Sequence, residues 1–475
     1  LPSTIETHTY IFLEQVIHQP AQPPGVPTNW ISLDGANWPA DYEMDPEIVA
    51  NPLYSGLIKE ALKALPSISL VTKPQDMFNN ATGIYPKAEG RGPSWERPAS
   101  IEMIFPDDRP GFQVNCGVQT QGNSARTPHK LPKHTFRIVF KGDYGPAKLN
   151  LQFFPDSPVT SFDTFIMRAD FNFSWLHWSP TQRLRGQRTR DAWMKDSLRA
   201  MGSLASHNRY VHLYVNGLYW GVYDPTERPD GTFAASNLGG EKEEYDVVNE
   251  GAAVDGNMTA YNQMLAISNL ADNAQYEAMK QYLDVTQYID YILLHFYVGH
   301  EDWGNNKNWY TMRRHGAGNG FKYVPWDGEN ILGDANFNRV SSTDVASGLH
   351  TKLVANTQYR LDFADRVHKH FFNGGPLMPE AVIARWTKRA SEVDLAIIAE
   401  SARWGDYRRD VHQYSSPPYE LYTRNNHWLA EQNRLLTQYF PQRTGTVLNQ
   451  LRAAGLYPNA AAPAFNQHGG AVPAG

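Results

Sequence analysis

Cysteine is nearly missing from this chain. Cys116 is the only one in 475 residues, so no intrachain disulfide can form. The residues around it alternate like a strand, which reads Cys116 as a small core hydrophobe. So few thiols suit either a reducing cytosol or an exported bacterial protein. No apolar run approaches the roughly eighteen residues that a membrane-spanning helix needs. There is also no excess of basic charge. A formal net charge of -6 and a pI near 6.3 argue against a broad nucleic-acid footprint, which needs clustered Lys and Arg. No Walker A sequence occurs. Sixteen His residues, with His177, His129 and His134 as the tightest group, include no His-x-x-x-His with an acid at zincin spacing, which argues against a catalytic zinc. The chain opens Leu1-Pro2-Ser3-Thr4 with neither Met nor a signal peptide. That start resembles a mature end and leaves secretion open.

Aromatic rings are plentiful. Thirteen Trp and 25 Tyr accompany a mean hydropathy of -0.52, so amphipathic rings are expected on a surface or in a cleft, where they suit sugars, bases and protein partners alike. With 41% hydrophobic and 19% charged residues the composition is that of a globular chain, long enough for one large core or two to three smaller ones.

The most informative stretch is His300-Glu301-Asp302-Trp303-Gly304-Asn305-Asn306, followed by Val324-Pro325-Trp326-Asp327-Gly328-Glu329. Phosphoryl transfer needs this inventory: one Asp to orient or deprotonate the attacking hydroxyl, and an amide oxygen with a second Asp to hold Mg²⁺ on nucleotide phosphates. Asn305 and Asn306 follow Asp302 at close to the kinase catalytic-loop spacing, and Asp327 follows a strand-like run at 321–324. The apolar segment 288–298 upstream predicts a buried helix that delivers a polar loop into a cleft. The same residue types also serve as caps and turns, and neither a DFG nor an HRD triplet is present.

Along the chain, a Pro-rich arm at 1–65 ends in a short helix at 55–65, before Pro66. Alternating runs at 67–71, 99–104, 111–118 and 135–140 predict an antiparallel sheet block. Further strands are expected at 162–168 and 209–215, with a helix at 185–201 between them. Asn216-Gly217 between alternating runs is the strongest short hairpin signal a sequence offers. Arg168, Arg190 and Asp191 read as a structural charge network. The chain is expected to be mainly helical over 258–456, with an Ala/Pro/Gly-rich linker at 457–475. His315 to Gly320 reads as a flexible hairpin tip.

Several blocks together resemble the spore coat protein H (CotH) kinase-like family. They are the run Lys133 to Phe140, the hairpin 213–223 with Thr226-Glu227-Arg228-Pro229-Asp230, then Asp302-Trp303-Gly304-Asn305-Asn306 and Trp326-Asp327-Gly328-Glu329, in that order. With Gly83-Ile84-Tyr85 and the run Arg91 to Pro98 upstream, the version here is similar to long exported forms of environmental bacteria, which often adjoin β-sandwich modules. The resemblance spans roughly 65–450.

It implies an α+β, atypical protein-kinase-like, two-lobed fold: a sheet-rich nucleotide-binding lobe at 66–257 and a helical catalytic lobe at 258–456, with ATP and Mg²⁺ between them. The implied activity is transfer of the ATP γ-phosphoryl group to Ser or Thr of an exported or cell-surface bacterial protein. By the same resemblance Asp302 takes the catalytic role, Asn306 with Asn305 the amide role, and Asp327 the metal role. Glu329 stands where relatives frequently carry Asp and would be a second metal ligand. Lys133 is the candidate phosphate-pairing lysine and Glu227 the acid that orients it; apart from the resemblance, Arg126 lies in a Gly-containing turn that could sit over phosphates. Two other classes stay open: a non-catalytic surface or assembly module on the same fold, and a carbohydrate-active enzyme using Asp302 and Asp327.

Overall fold

A computed structural model describes residues 6–107 and 109–460. The chain folds as α+β. Its first large element is a closed barrel of seven strands: β1 (Ser67–Val71), β2 (Arg97–Ile104), β3 (Phe112–Gln121), β4 (Thr135–Val139), β5 (Thr164–Arg168), β6 (Val211–Val215) and β7 (Leu218–Glu227), in the spatial order β6-β7-β5-β4-β3-β2-β1. Alternate residues point inward because successive side chains of a strand face opposite sides. Ile68 and Leu70, Ile101 and Met103, Cys116 and Val118, Phe136 and Ile138, and Phe165 and Met167 thus share one buried core.

The β6–β7 hairpin turns at Asn216 (φ 50°) and Gly217 (φ 82°), the left-handed pair of a two-residue turn whose twist matches its strands. One expectation needs correction. The sheet is not wholly antiparallel, because β1 pairs with β6 in parallel, Ile68 opposite Leu213. That seam joins strands more than a hundred residues apart, so no local turn signal announces it.

Helix α1 (Arg190–Ala200) packs against a second core built on α2 (Val285–Val298), which is buried nearly all round as its composition required. A four-stranded sheet lies beside it: β8 (Tyr245–Asn249), β9 (Ala252–Asp255), β10 (Trp309–Arg314) and β11 (Lys322–Pro325), ordered β9-β8-β10-β11. β10 and β11 therefore place strands inside the stretch read as mainly helical.

Residues 6–65 pack on the barrel and on α3 (Ala396–Trp404). Buried Arg403 bonds Asp41 at 3.0 Å, and the Asp45 amide donates to Ala402 O at 2.6 Å. The helix expected at 55–65 is one turn, Ile58–Ala61. Of the tail expected as linker, residues 461–475 lie outside the described residues.

Candidate active site

Helix α2 ends because Gly299 takes the left-handed conformation (φ 61°), which glycine adopts without steric cost. The chain then turns past buried His300 and carries Asp302 to a cleft. Two neighbours fix Asp302. Lys307 Nζ bonds Oδ1, and the Asn308 amide donates both to the Asp302 carbonyl and to Oδ2, the latter at 3.2 Å. Asn308 sits at φ 61° just before β10, and its backbone N–H donates to Glu250 Oε1 at 2.7 Å. Burial raises the Glu250 carboxyl, the Asn308 amide opposes this, and the charges of Asp327 and Asp302 add to the rise. Both carboxylates therefore act on one neighbour.

Asp327 follows the end of β11 and is left-handed itself (φ 52°), a conformation that costs a non-glycine residue free energy and is concentrated at functional sites. Next to it, Gly328 donates its N–H to Asp191 Oδ1 at 2.8 Å. A Cβ at Gly328 would lie 2.6 Å from Met194 Sδ, so a larger residue would push α1 and the Asp327 loop apart.

Arg168, the last residue of β5, connects these parts. Its guanidinium bonds Asp327 Oδ1 at 2.6 Å and Glu329 Oε1, and lies 3.5 Å from Asp191 Oδ2. Burial would lower its pKa, but Asp191, Asp327 and Glu329 together hold it well above the ordinary value. Burial pulls the Asp191 carboxyl upward, yet Arg168 and Lys195 bring it down to about 2. Glu329 Oε2 accepts the N–H groups of Phe171 and Asn172 at 2.8 and 2.9 Å. Burial pushes its carboxyl up to about 7 against the opposing Arg168 charge.

The cleft has a volume of about 500 Å³. Thr135, Ile166 and Arg168 of the barrel line it, as do Asn249, Tyr310 and Trp326 at the second sheet, and Gln121 to Ala125 form one wall. Asp302, Asp327, Glu329, Lys307 and Asn308 all face it.

Five other expected residues are placed differently. Lys133 is fully buried away from the cleft, its Nζ 2.7 and 2.9 Å from the Glu400 oxygens and 2.7 Å from Val222 O. Burial and the Arg188 charge push its ammonium down to about 7. Three surrounding acceptors nevertheless call for a protonated donor, and burial-opposing Arg188 and Lys133 bring Glu400 down to about 2. The expected Lys133–Glu227 pair is not formed, because Glu227 Oε2 accepts from the His207 amide and ring at 2.7 and 2.8 Å. β7 explains the separation: Asp224 stands opposite Arg168, whereas Glu227 stands opposite Phe165, three residues further along the strand. Arg126 does not line the cleft either. Its guanidinium bonds the carbonyls of Gly122, Ala88, Gly90 and Thr120, which pins the 121–125 turn that does. Asn305 and Asn306 are not cleft-lining. Asn305 donates its N–H to Asp344 Oδ1 and accepts from Ser347 and Trp309.

Asn308, Lys307 and Glu250 line the cleft and were not singled out from the sequence. Asn308 had a signal, since it lies six residues after Asp302 at the edge of a strand. Arg168 and Asp191 were read as structural, and they do pair, but Arg168 also faces the cleft.

Among the described residues no three His, Cys, Asp or Glu side chains form a metal cage. Mg²⁺ does not require one, because it commonly takes one or two carboxylates plus phosphate oxygens and waters. Asp327 fits that use, with its side chain 41% exposed and, among the described residues, held by Arg168 alone, and the Asn308 amide oxygen is the second suitable donor. Glu329 does not fit, because both of its oxygens are engaged.

A strand cation paired to a helix carboxylate, beside one Asp after a strand and another in a loop carrying Asn, resembles the set of parts that kinase-like proteins use. The chain matches the family model described as CotH kinase protein over residues 118–444, well over half its length, and it belongs to that family. A search of curated proteins finds no match. No helix among the described residues is long and apolar enough to cross a membrane.

Proposed function

We propose that this chain is an ATP-dependent phosphotransferase that moves the γ-phosphoryl group to a Ser or Thr hydroxyl of an exported or cell-surface protein. The observation that carries this reading is that Asp302 and Asp327, distant in sequence, line one cleft with Asn308 and Arg168. In this reading Asp302 orients the acceptor hydroxyl and takes its proton as the new O–P bond forms. The bond between the γ-phosphorus and its bridging oxygen breaks, and ADP leaves. Asp327, with the Asn308 amide oxygen, would hold Mg²⁺, which neutralises phosphate charge when bound. Arg168 takes the place expected of Lys133, and Asp191 on α1 takes the orienting role expected of Glu227. Glu329 holds Arg168 rather than a second metal.

The cleft's own charge supports a need for the metal. Four carboxylates (Glu250, Asp302, Asp327, Glu329) face three cations (Arg91, Arg168, Lys307), and such a surface repels a bare polyphosphate. The division into an arm (1–65), a nucleotide-binding part (66–257) and a catalytic part (258–456) belongs to the same proposal, as do neighbouring β-sandwich modules in a longer chain. The test is a thermal shift with ATP and Mg²⁺ set against oligosaccharides, followed by transfer of labelled γ-phosphate to protein. Stabilisation by ATP with transfer supports the reading. Stabilisation by sugar alone points to a carbohydrate-active enzyme, and a response to neither points to a binding module.

A further inference from the structure

The barrel's second strand and the loop before it lie ahead of the family-matched span 118–444, yet that region sends one side chain into the cleft. Arg91 lines it, is exposed, and donates from Nη2 to Asn123 Oδ1 at 3.1 Å. Asn123 belongs to the 121–125 wall that buried Arg126 pins from behind.

The other two cleft cations are already neutralised. Arg168 is shared among Asp327, Glu329 and Asp191, and Lys307 is bonded to Asp302. Arg91 makes no ion pair among the described residues. An arginine that keeps its charge, presents a planar fork of donors, and is tied by one neutral contact to a pinned wall is suited to grip a phosphate.

We infer that Arg91 is a ligand-binding residue of the cleft, clamping the polyphosphate of the bound nucleotide. This rests on the nucleotide reading above. The residues ahead of the matched span therefore complete the binding site as well as bracing the fold. A single polar contact holds the side chain, so its removal leaves the barrel intact and the position can be tested cleanly.

The experiment titrates ATP with Mg²⁺, and separately adenosine, into the full chain as wild type, Arg91→Ala and Arg91→Lys. Arg91→Ala is expected to lose about tenfold in ATP affinity, the scale of one charge-assisted hydrogen bond, with adenosine affinity and melting temperature unchanged. Arg91→Lys, which keeps the charge but loses the fork, should fall between the two. Wild-type ATP affinity in Arg91→Ala overturns the inference and leaves the nucleotide reading standing. Equal losses for ATP and adenosine also overturn it, since they mark a role in shaping the wall. A wild-type chain that binds no ATP sinks both.

Discussion

Replacing Lys133 with Met separates a structural lysine from a phosphate-binding one. The lysine side chain is 0% exposed and Glu400 is 5% exposed. Nζ reaches both Glu400 oxygens and Val222 O within 2.9 Å. Methionine matches the length but supplies no donor. Glu400 would keep Arg188 at 2.5 Å and the Val222 amide at 2.7 Å, so the carboxylate loses one of its two cations, and Val222 O loses its contact with Nζ. Breaking a buried ion pair costs about 3–5 kcal/mol, and the surviving Arg188 places this case at the lower end. For a chain of this size such a loss lowers the melting temperature by several degrees. Differential scanning calorimetry of both proteins, with ATP titrations at a temperature where both are folded, reads the two effects separately. The expected result is a lower melt with ATP affinity within about twofold, a difference well below that of one lost hydrogen bond. A variant that melts like wild type and no longer binds ATP would refute the burial argument and return Lys133 to the cleft.

Two further outcomes follow from the same geometry. Asp302→Asn removes the proton acceptor while keeping the shape that Lys307 and Asn308 hold, so single-turnover transfer should fall by about 10²–10⁴ with ATP binding retained. Wild-type turnover would move the base elsewhere, with Glu301 next to be tested. Stability should fall steeply as the pH drops from about 4 to about 2. Asp191 and Glu400 titrate near 2 in the folded chain, below their ordinary values of 3.8 and 4.5, so their stabilisation is complete above those ordinary values and is lost toward the folded ones. Buried His177 and His350, lowered from 6.5 to about 3 by burial, start the loss earlier, because the unfolded chain takes up their protons from about pH 6.5 downward and the folded chain only near 3. Acid titration followed by circular dichroism would contradict this if stability held constant below pH 4.

Local signals carried much of the fold. Ser67–Val71 alternates and is bounded by Pro66, and it forms a strand over those residues. Asn216-Gly217 gave the hairpin because its positive φ angles suit few other residues. The apolar run at 288–298 lies within α2 because nothing but burial accommodates it. The parallel closure of β1 on β6 was not legible, since it depends on long-range pairing alone.

At the site, Asp302 and Asp327 were found from spacing, and both line the cleft. The cations were harder to place. Lys133 precedes β4 and Arg168 ends β5, and a sequence does not reveal which of two neighbouring strand ends faces the cavity. The sequence pointed to Asn305 and Asn306 for the amide, whereas the loop geometry brings the amide of left-handed Asn308 to Asp302.

In the proposed reaction Asp327 is the residue through which metal and nucleotide are held. Asn at this position keeps the shape and tolerates the left-handed backbone better than most residues, so Asp327→Asn removes charge without adding strain. Titration of ATP with Mg²⁺ into wild type and variant, with melting temperatures recorded without ligand, is the direct measurement. The account predicts similar melts without ligand and loss of ATP-dependent stabilisation in Asp327→Asn; equal ATP binding by the two proteins would contradict it.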